Sequence, residues 1–168
     1  MGLWAAFRLR RFLTPTERGQ VVAALAEAAR HTRACIGLTI DDQATGDPLG
    51  RARECFERWD LPEVERPTAV MVYVSAVSRT FAVVGGDEVE RVAPRAFWEV
   101  VNRDLTHHFD EQRYCDGLFK AIAQVALQLQ RHFPRPEGVQ GLAARAHDAA
   151  ADLQDDGRGE PGLFTKDR

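Results

Sequence analysis

The chain is short of lysine, of paired cysteines and of any long uncharged apolar run, and each shortage removes a class of function. Lys120 and Lys166 are the only lysines among 22 basic residues, and 25 acidic residues bring the net charge to -3. A basic field of the kind that holds duplex phosphates is therefore missing, and nucleic acid is not an expected partner. Cys35, Cys55 and Cys115 are widely spaced and form no CxxC pair, whereas a disulfide framework or a structural zinc site needs closer and more regular spacing. A reducing, cytoplasmic location is the simplest expectation. Cys35 and Cys55 read as small core thiols, and Cys115, beside Asp116, as an exposed one.

The longest apolar stretch, residues 68–86, is broken by Arg79 and rich in β-branched residues, which suits two strands better than a membrane span. At the N-terminus, MGLWAAFRLRRFL places its arginines after the short apolar run, the wrong order for a secretory signal. Residues 1–12 thus read as a basic, aromatic extension, with peripheral contact to a membrane surface or cover for the core as its two uses.

What is present is one ordinary domain: 168 residues at 45% hydrophobic content support a single core. Thr14-Pro15-Thr16-Glu17 is a capping box with proline at the first helical position, and Val22, Leu25 and Ala29 follow at helical spacing as far as Arg30. Residues 34–41 alternate, with Ile36, Leu38 and Ile40 on one face, and read as a strand. Asp47-Pro48 opens a helix with Ala52, Cys55, Phe56 and Trp59 on one stripe, ended by Pro62. TAVMVYVS (68–75) and TFAVV (80–84) are apolar on both faces, as in a sheet covered on two sides, and Ser78-Arg79 joins them as a hairpin. After Gly85-Gly86, Pro94 starts a helix bearing Trp98, Val101, Leu105 and Phe109. Asp116 opens the last helix, with Leu118, Ile122 and Leu129 inward and Phe133-Pro134 as its stop. The expected order is α-β-α-β-β-α-α, an α/β fold with a small mixed central sheet between helices. Residues 13–134 form the domain and 135–168 a helical to disordered tail.

The stretch VGGDEV (84–89) resembles the GGDEF signature of diguanylate cyclases, which would make Glu88 a metal ligand. The context departs from that family: Glu90, Arg91 and Pro94 follow where a hydrophobic strand is required, and the family's opening motif is missing upstream. A second resemblance covers more of the chain. LTPTE, RTFAVVGG, VAPRAFWEVV, HFDEQRYCDGLFKAI and LQLQRHFP, in this order and spacing across residues 13–134, resemble the TPM-domain family.

That resemblance implies an α/β sandwich, a divalent-metal site that is usually a calcium site, and, from a plastid member, acid phosphatase activity; many bacterial members have no assigned role. Relatives carry Gly-Asp at the end of the third strand, where this chain has Gly85-Gly86, and an acid in the first strand, where it has Cys35. An acid often found after Asp47-Pro48-Leu49 is Gly50 here, while Asp116-Gly117 keeps the acid of the last helix. The candidate metal ligands are then Asp87, Glu88, Asp116 and Asp41. Calcium takes six to eight oxygens, so losing two or three carboxylates leaves calcium or another divalent cation weakly held. The expected function is a non-catalytic interaction or assembly module with a degenerate metal site, its partner another protein. The alternative is a metal-dependent acid phosphatase hydrolysing phosphoric esters.

Bland roles suffice for the other polar residues. Asp41-Asp42 and Asp47 read as solvated turn residues with an N-cap at Asp47. His107 and His108, about 100° apart on a helix, cannot both face one ion and read as helix-end residues. His132 suits a helix C-terminus. Arg79 reads as a turn arginine, with phosphate binding as the less economical role.

Overall fold

In the computed structural model, residues 12–41 and 46–136 are described. Five helices and three strands follow in the order α1 (Pro15–His31), β1 (Ile36–Asp41), α2 (Pro48–Arg58), β2 (Val70–Ser75), β3 (Thr80–Gly85), α3 (Asp87–Val92), α4 (Arg95–Asp110) and α5 (Tyr114–His132). The sheet order is β1-β2-β3, with β1 parallel to β2 and β3 antiparallel to it. The α/β class and the mixed sheet between helices are as the sequence implies; α3 is an addition. It forms because Gly86 caps a segment whose first turn carries Asp87, Glu88 and Glu90, acids that complement the positive end of a helix.

The central strand explains the layering. All six residues of β2 are buried, so neither face of the sheet can be left to water. Val70, Val72 and Val74 join Ile36, Leu38 and Ile40 in the larger core, closed by Val21 and Leu25 of α1, Val101 and Leu105 of α4, and Leu118, Ile122 and Leu129 of α5. Met71 and Tyr73 point to the opposite face and meet Ala82 and Val84 of β3 with Ala52, Cys55, Phe56 and Trp59 from α2. That smaller layer is closed over β1 by contact with Gly37, where an added Cβ would lie 2.8 Å from the Trp59 ring. Burying each such Val, Leu or Met side chain contributes about 1.5–3 kcal/mol.

Several local expectations hold in detail. Thr14 and Glu17 make the reciprocal capping box, at 3.2 Å for Glu17 N to Thr14 Oγ1 and 2.7 Å for Thr14 N to Glu17 Oε2. Asp47 caps α2 by accepting from Leu49 N and Gly50 N. The hairpin turn holds Arg79 in the left-handed region at φ 57°. β1 starts two residues late because Thr32, buried, donates to the Phe133 carbonyl at 2.6 Å and ties the end of α1 to the end of α5.

Other expectations are corrected. Cys115 is buried and Cys35 and Cys55 are half-buried, because the first turn of α5 faces the core while Cys35 lies just before β1. His107 and His108 do lie in the last turn of α4, but His108 is buried, with Nδ1 2.7 Å from the Asp104 carbonyl. Phe12, placed by sequence in the extension, packs against Phe109 and Tyr114. The readings of residues 1–11 and of the tail beyond 136 lie outside the described residues.

Asp104 couples the last two long helices. It accepts from Lys120 Nζ at 3.0 Å and Gln124 Nε2 at 2.9 Å across the α4–α5 contact. The Lys120 bond, with the Gln124 bond behind it, holds the Asp104 carboxyl below its ordinary value. Its stabilising effect is therefore present above the unfolded carboxylate pKa and is lost as pH falls through the lower folded value. Asp104→Asn should lower stability by about 1 kcal/mol at neutral pH and flatten this part of the acid limb. Urea unfolding of both proteins across the acid range reads both effects.

Candidate functional site

The strand register decides which candidate acids can meet. Asp41 pairs with Ser75 and lies beside the hairpin end of the sheet, whereas Gly85, just before Asp87, pairs with Val70 at the other end. Over six-residue strands the two ends are roughly 17 Å apart, so Asp41 cannot share one cation with Asp87 and Glu88. Asp116 is in the first turn of α5, on the other face of the sheet from the α2 layer that holds the Asp41 side chain. There it accepts from Arg113 Nε at 3.0 Å, at the surface, and the same bond raises the Arg113 pKa. The four carboxylates thus occupy three places. Among the described residues no group of three or more His, Cys, Asp or Glu side chains is positioned to hold a metal ion.

At Gly86, where the resemblance implies an acid, the backbone leaves little room for any side chain. A Cβ there would overlap the Arg66 carbonyl and lie 2.6 Å from the Pro67 carbonyl oxygen. The turn at Arg66–Thr68 cannot easily retreat, because the Arg66 guanidinium donates to the Phe56 and Trp59 carbonyls at 2.7 and 3.0 Å. Gly86 N also donates to the Ala69 carbonyl at 2.9 Å, drawing the backbones together. An aspartate here would force the Arg66–Pro67 backbone to shift.

Asp41 is the acid with a built environment. Its side chain is 13% exposed, and Oδ2 accepts from Arg51 Nη2 at 2.9 Å and from the Tyr73 hydroxyl at 3.0 Å. Arg51 comes from α2, one turn after the Asp47 cap, and also meets Glu54 at 2.8 Å. Each residue is placed by its element: Asp41 ends β1, Tyr73 projects from β2 under α2, and α2 carries Arg51 over both. Burial pushes the Tyr73 phenol up to about 12, keeping it a donor at neutral pH. The bond to Asp41 holds Arg51 still more firmly charged than an ordinary arginine. Sequence reasoning named Asp41 but missed Arg51 and Tyr73, because residues ten and thirty-two positions away on other elements leave no periodic signal of the contact.

The calcium set implied by the resemblance does not fit these residues. A hard cation needs several oxygens converging on one point. Here the buried carboxylate oxygen at the end of β1 is already bonded to a guanidinium and a hydroxyl. Thiol chemistry is no more favourable, since burial pushes the Cys55 and Cys115 thiols up and away from the thiolate form that attacks or binds metal. Arg79 lies with its guanidinium carbon 5.6 Å from the Tyr114 ring centroid, a cation–π contact at the hairpin.

A three-stranded mixed sheet between a single helix and a three-helix layer defines an α/β sandwich. Its affiliation is set by sequence: the TPM domain model matches residues 8–128, and the chain belongs to that family. No curated protein matches the sequence. Among solved structures it is similar to the BA42 protein of the psychrophilic bacterium Bizionia argentinensis, with a TM-score of 0.68 and 23% identity over 75% of this chain and 87% of that one. That likeness supports the fold. No helix of the described residues is long and apolar enough to cross a membrane.

Gly86→Asp should not restore a metal site. It should destabilise the domain by about 1–3 kcal/mol through overlap with the Arg66–Pro67 backbone. Thermal unfolding with and without calcium measures both; a variant as stable as the parent that gains calcium-dependent stability would refute the steric account. In a Tyr114→Phe background, phenolate absorbance should report Tyr73 alone, ionising toward pH 12. Because its folded pKa lies above the unfolded value, the associated stability is present below about pH 10 and lost as pH rises toward the folded value.

Proposed function

We propose that this TPM domain is a non-catalytic interaction module in which Arg51 supplies, from within the chain, the positive charge that a divalent cation would bring to Asp41. The observation that carries the reading is the single carboxylate oxygen shared by Arg51 Nη2 and the Tyr73 hydroxyl. A cation entering there must displace a guanidinium held by two acids, Asp41 and Glu54. Phosphoryl transfer that depends on a metal would lose its main source of charge stabilisation if the metal does not bind. The dispersal of Asp87, Glu88 and Asp116 supports the same reading. A protein partner and a cytoplasmic setting, with residues 1–12 at a membrane surface, belong to it; three free cysteines and the basic, aromatic N-terminus support them.

Calorimetric titration with calcium, magnesium and zinc is the direct test. The unaltered chain should show no binding tighter than the millimolar range, and Arg51→Gln should bind a divalent cation more tightly than the parent. Micromolar calcium binding to the unaltered chain, lost in Asp41→Asn, Asp87→Asn or Asp116→Asn, would overturn the degenerate-site reading. Steady, chelator-sensitive turnover of a generic phosphate ester would replace the module with a metal-dependent acid phosphatase.

A further inference from the structure

The outer edge of the sheet carries an inference independent of the Asp41 site. Gly86 N donates to Ala69 O, and the β2–β3 register continues this pairing through Met71–Val84, Tyr73–Ala82 and Ser75–Thr80. In an antiparallel ladder, residues of β3 then alternate. Thr80, Ala82 and Val84 turn their N–H and C=O groups toward β2, whereas Phe81, Val83 and Gly85 turn theirs outward. Among the described residues these outward groups have no hydrogen-bond partner.

Strand edges in stable monomers are usually guarded by charge, proline, a bulge or a covering segment. β3 reads TFAVVG, with no charge and no proline, and pairs with β2 without a bulge. Phe81, Val83 and Gly85 are half-buried, and Phe81 meets Phe109 at 5.3 Å, so apolar surface flanks the open backbone. At the opposite edge, Ile36, Leu38 and Ile40 of β1 are 2–6% exposed, which leaves β3 as the accessible one.

We propose that β3 is a homodimerisation edge: two copies of the chain pair their β3 strands antiparallel about a two-fold axis at Val83. The geometry accommodates a second copy. The outward groups are centred on Val83, so a two-fold axis joins Val83 to its mate as a hydrogen-bonded pair and uses every open donor and acceptor of the three residues. The same axis also keeps the overlying helices together, because α2 lies across both β2 and β3. Its mate would then lie roughly two strand spacings away, about 10 Å, within the range at which helices pack. The two protomer sheets become one, and the edge is buried at its centre.

Sedimentation of the full chain over a concentration series should show a protomer–dimer equilibrium. Val83→Pro removes an N–H that the protomer does not use and should weaken dimerisation about tenfold or more, since the symmetry deletes the bond twice. Far-UV circular dichroism establishes whether that variant folds. Amide exchange on the unaltered chain decides the matter even if it does not. In dilute protein Ala82 and Val84 should be protected while Phe81, Val83 and Gly85 exchange freely. In concentrated protein all five should be protected. A protomer at every concentration overturns the proposal. So does a dimer whose Phe81, Val83 and Gly85 amides still exchange freely, or a folded Val83→Pro variant that dimerises as the parent does.

Discussion

Everything in this domain is arranged around a strand that cannot meet water. β2 is buried along its whole length, with Val70, Val72, Tyr73 and Val74 fully covered. A strand apolar on both faces must have neighbours on both edges and layers on both sides. β1 and β3 supply the edges, α1, α4 and α5 one layer, and α2 the other. The polar tip of Tyr73 then has one way out, along the strand toward the hairpin end, where Asp41 receives its hydroxyl. Arg51 follows from that arrangement. A carboxylate drawn under α2 by a buried tyrosine is only 13% exposed and is stabilised by a compensating charge, which the overlying helix supplies.

The two layers differ in depth, and this shapes the chemistry available at each end of the sheet. On the side of α2, a single helix closes by flattening Trp59 against Gly37 and by docking the Arg66–Thr68 turn beneath Gly86. That close approach removes the side chain at Gly86. At the opposite end of the strands the same helix brings Arg51 to Asp41. Crowding against Gly86 at one end and neutralisation of Asp41 at the other thus both accompany the tight seating of α2 and its following loop on the sheet.

Much of this was legible in the sequence because it is periodic or local. The capping box at Thr14, the N-cap at Asp47, the stripe of Ala52, Cys55, Phe56 and Trp59, and the hairpin at Arg79 depend on residues within a turn or two of one another. The family was legible from ordered pieces spread over the chain, and the match over residues 8–128 agrees with it. What could not be read is non-local. Asp87 and Asp41 look interchangeable as acids near strand ends, and only the parallel β1–β2 and antiparallel β2–β3 register separates them. The helix α3 was hidden because a six-residue segment with three acids has too little apolar pattern to reveal its period. Cys115 looked exposed beside Asp116, but adjacent helix positions point about 100° apart, and that angle separates a core thiol from a surface acid.

Small sheets carry a further constraint. In a three-stranded sheet only the middle strand is paired on both sides, so two of the three strands are edges. Here their protection is unequal. β1 is shielded by its own burial and by the anchoring of Thr32 to Phe133 next to it, which ties the end of α5 beside its start. β3 has helices above and below but leaves outward-facing backbone groups beyond them. Charged substitutions on β3 that would guard this edge conflict with the core, because Phe81 and Val83 pack against the larger cluster and Ala82 and Val84 belong to the smaller one. With neither face of β3 free to carry a charge, the edge lacks the usual charged guard, and the same double-sided burial that organises β2 is what would make the proposed pairing of two β3 strands compatible with the core.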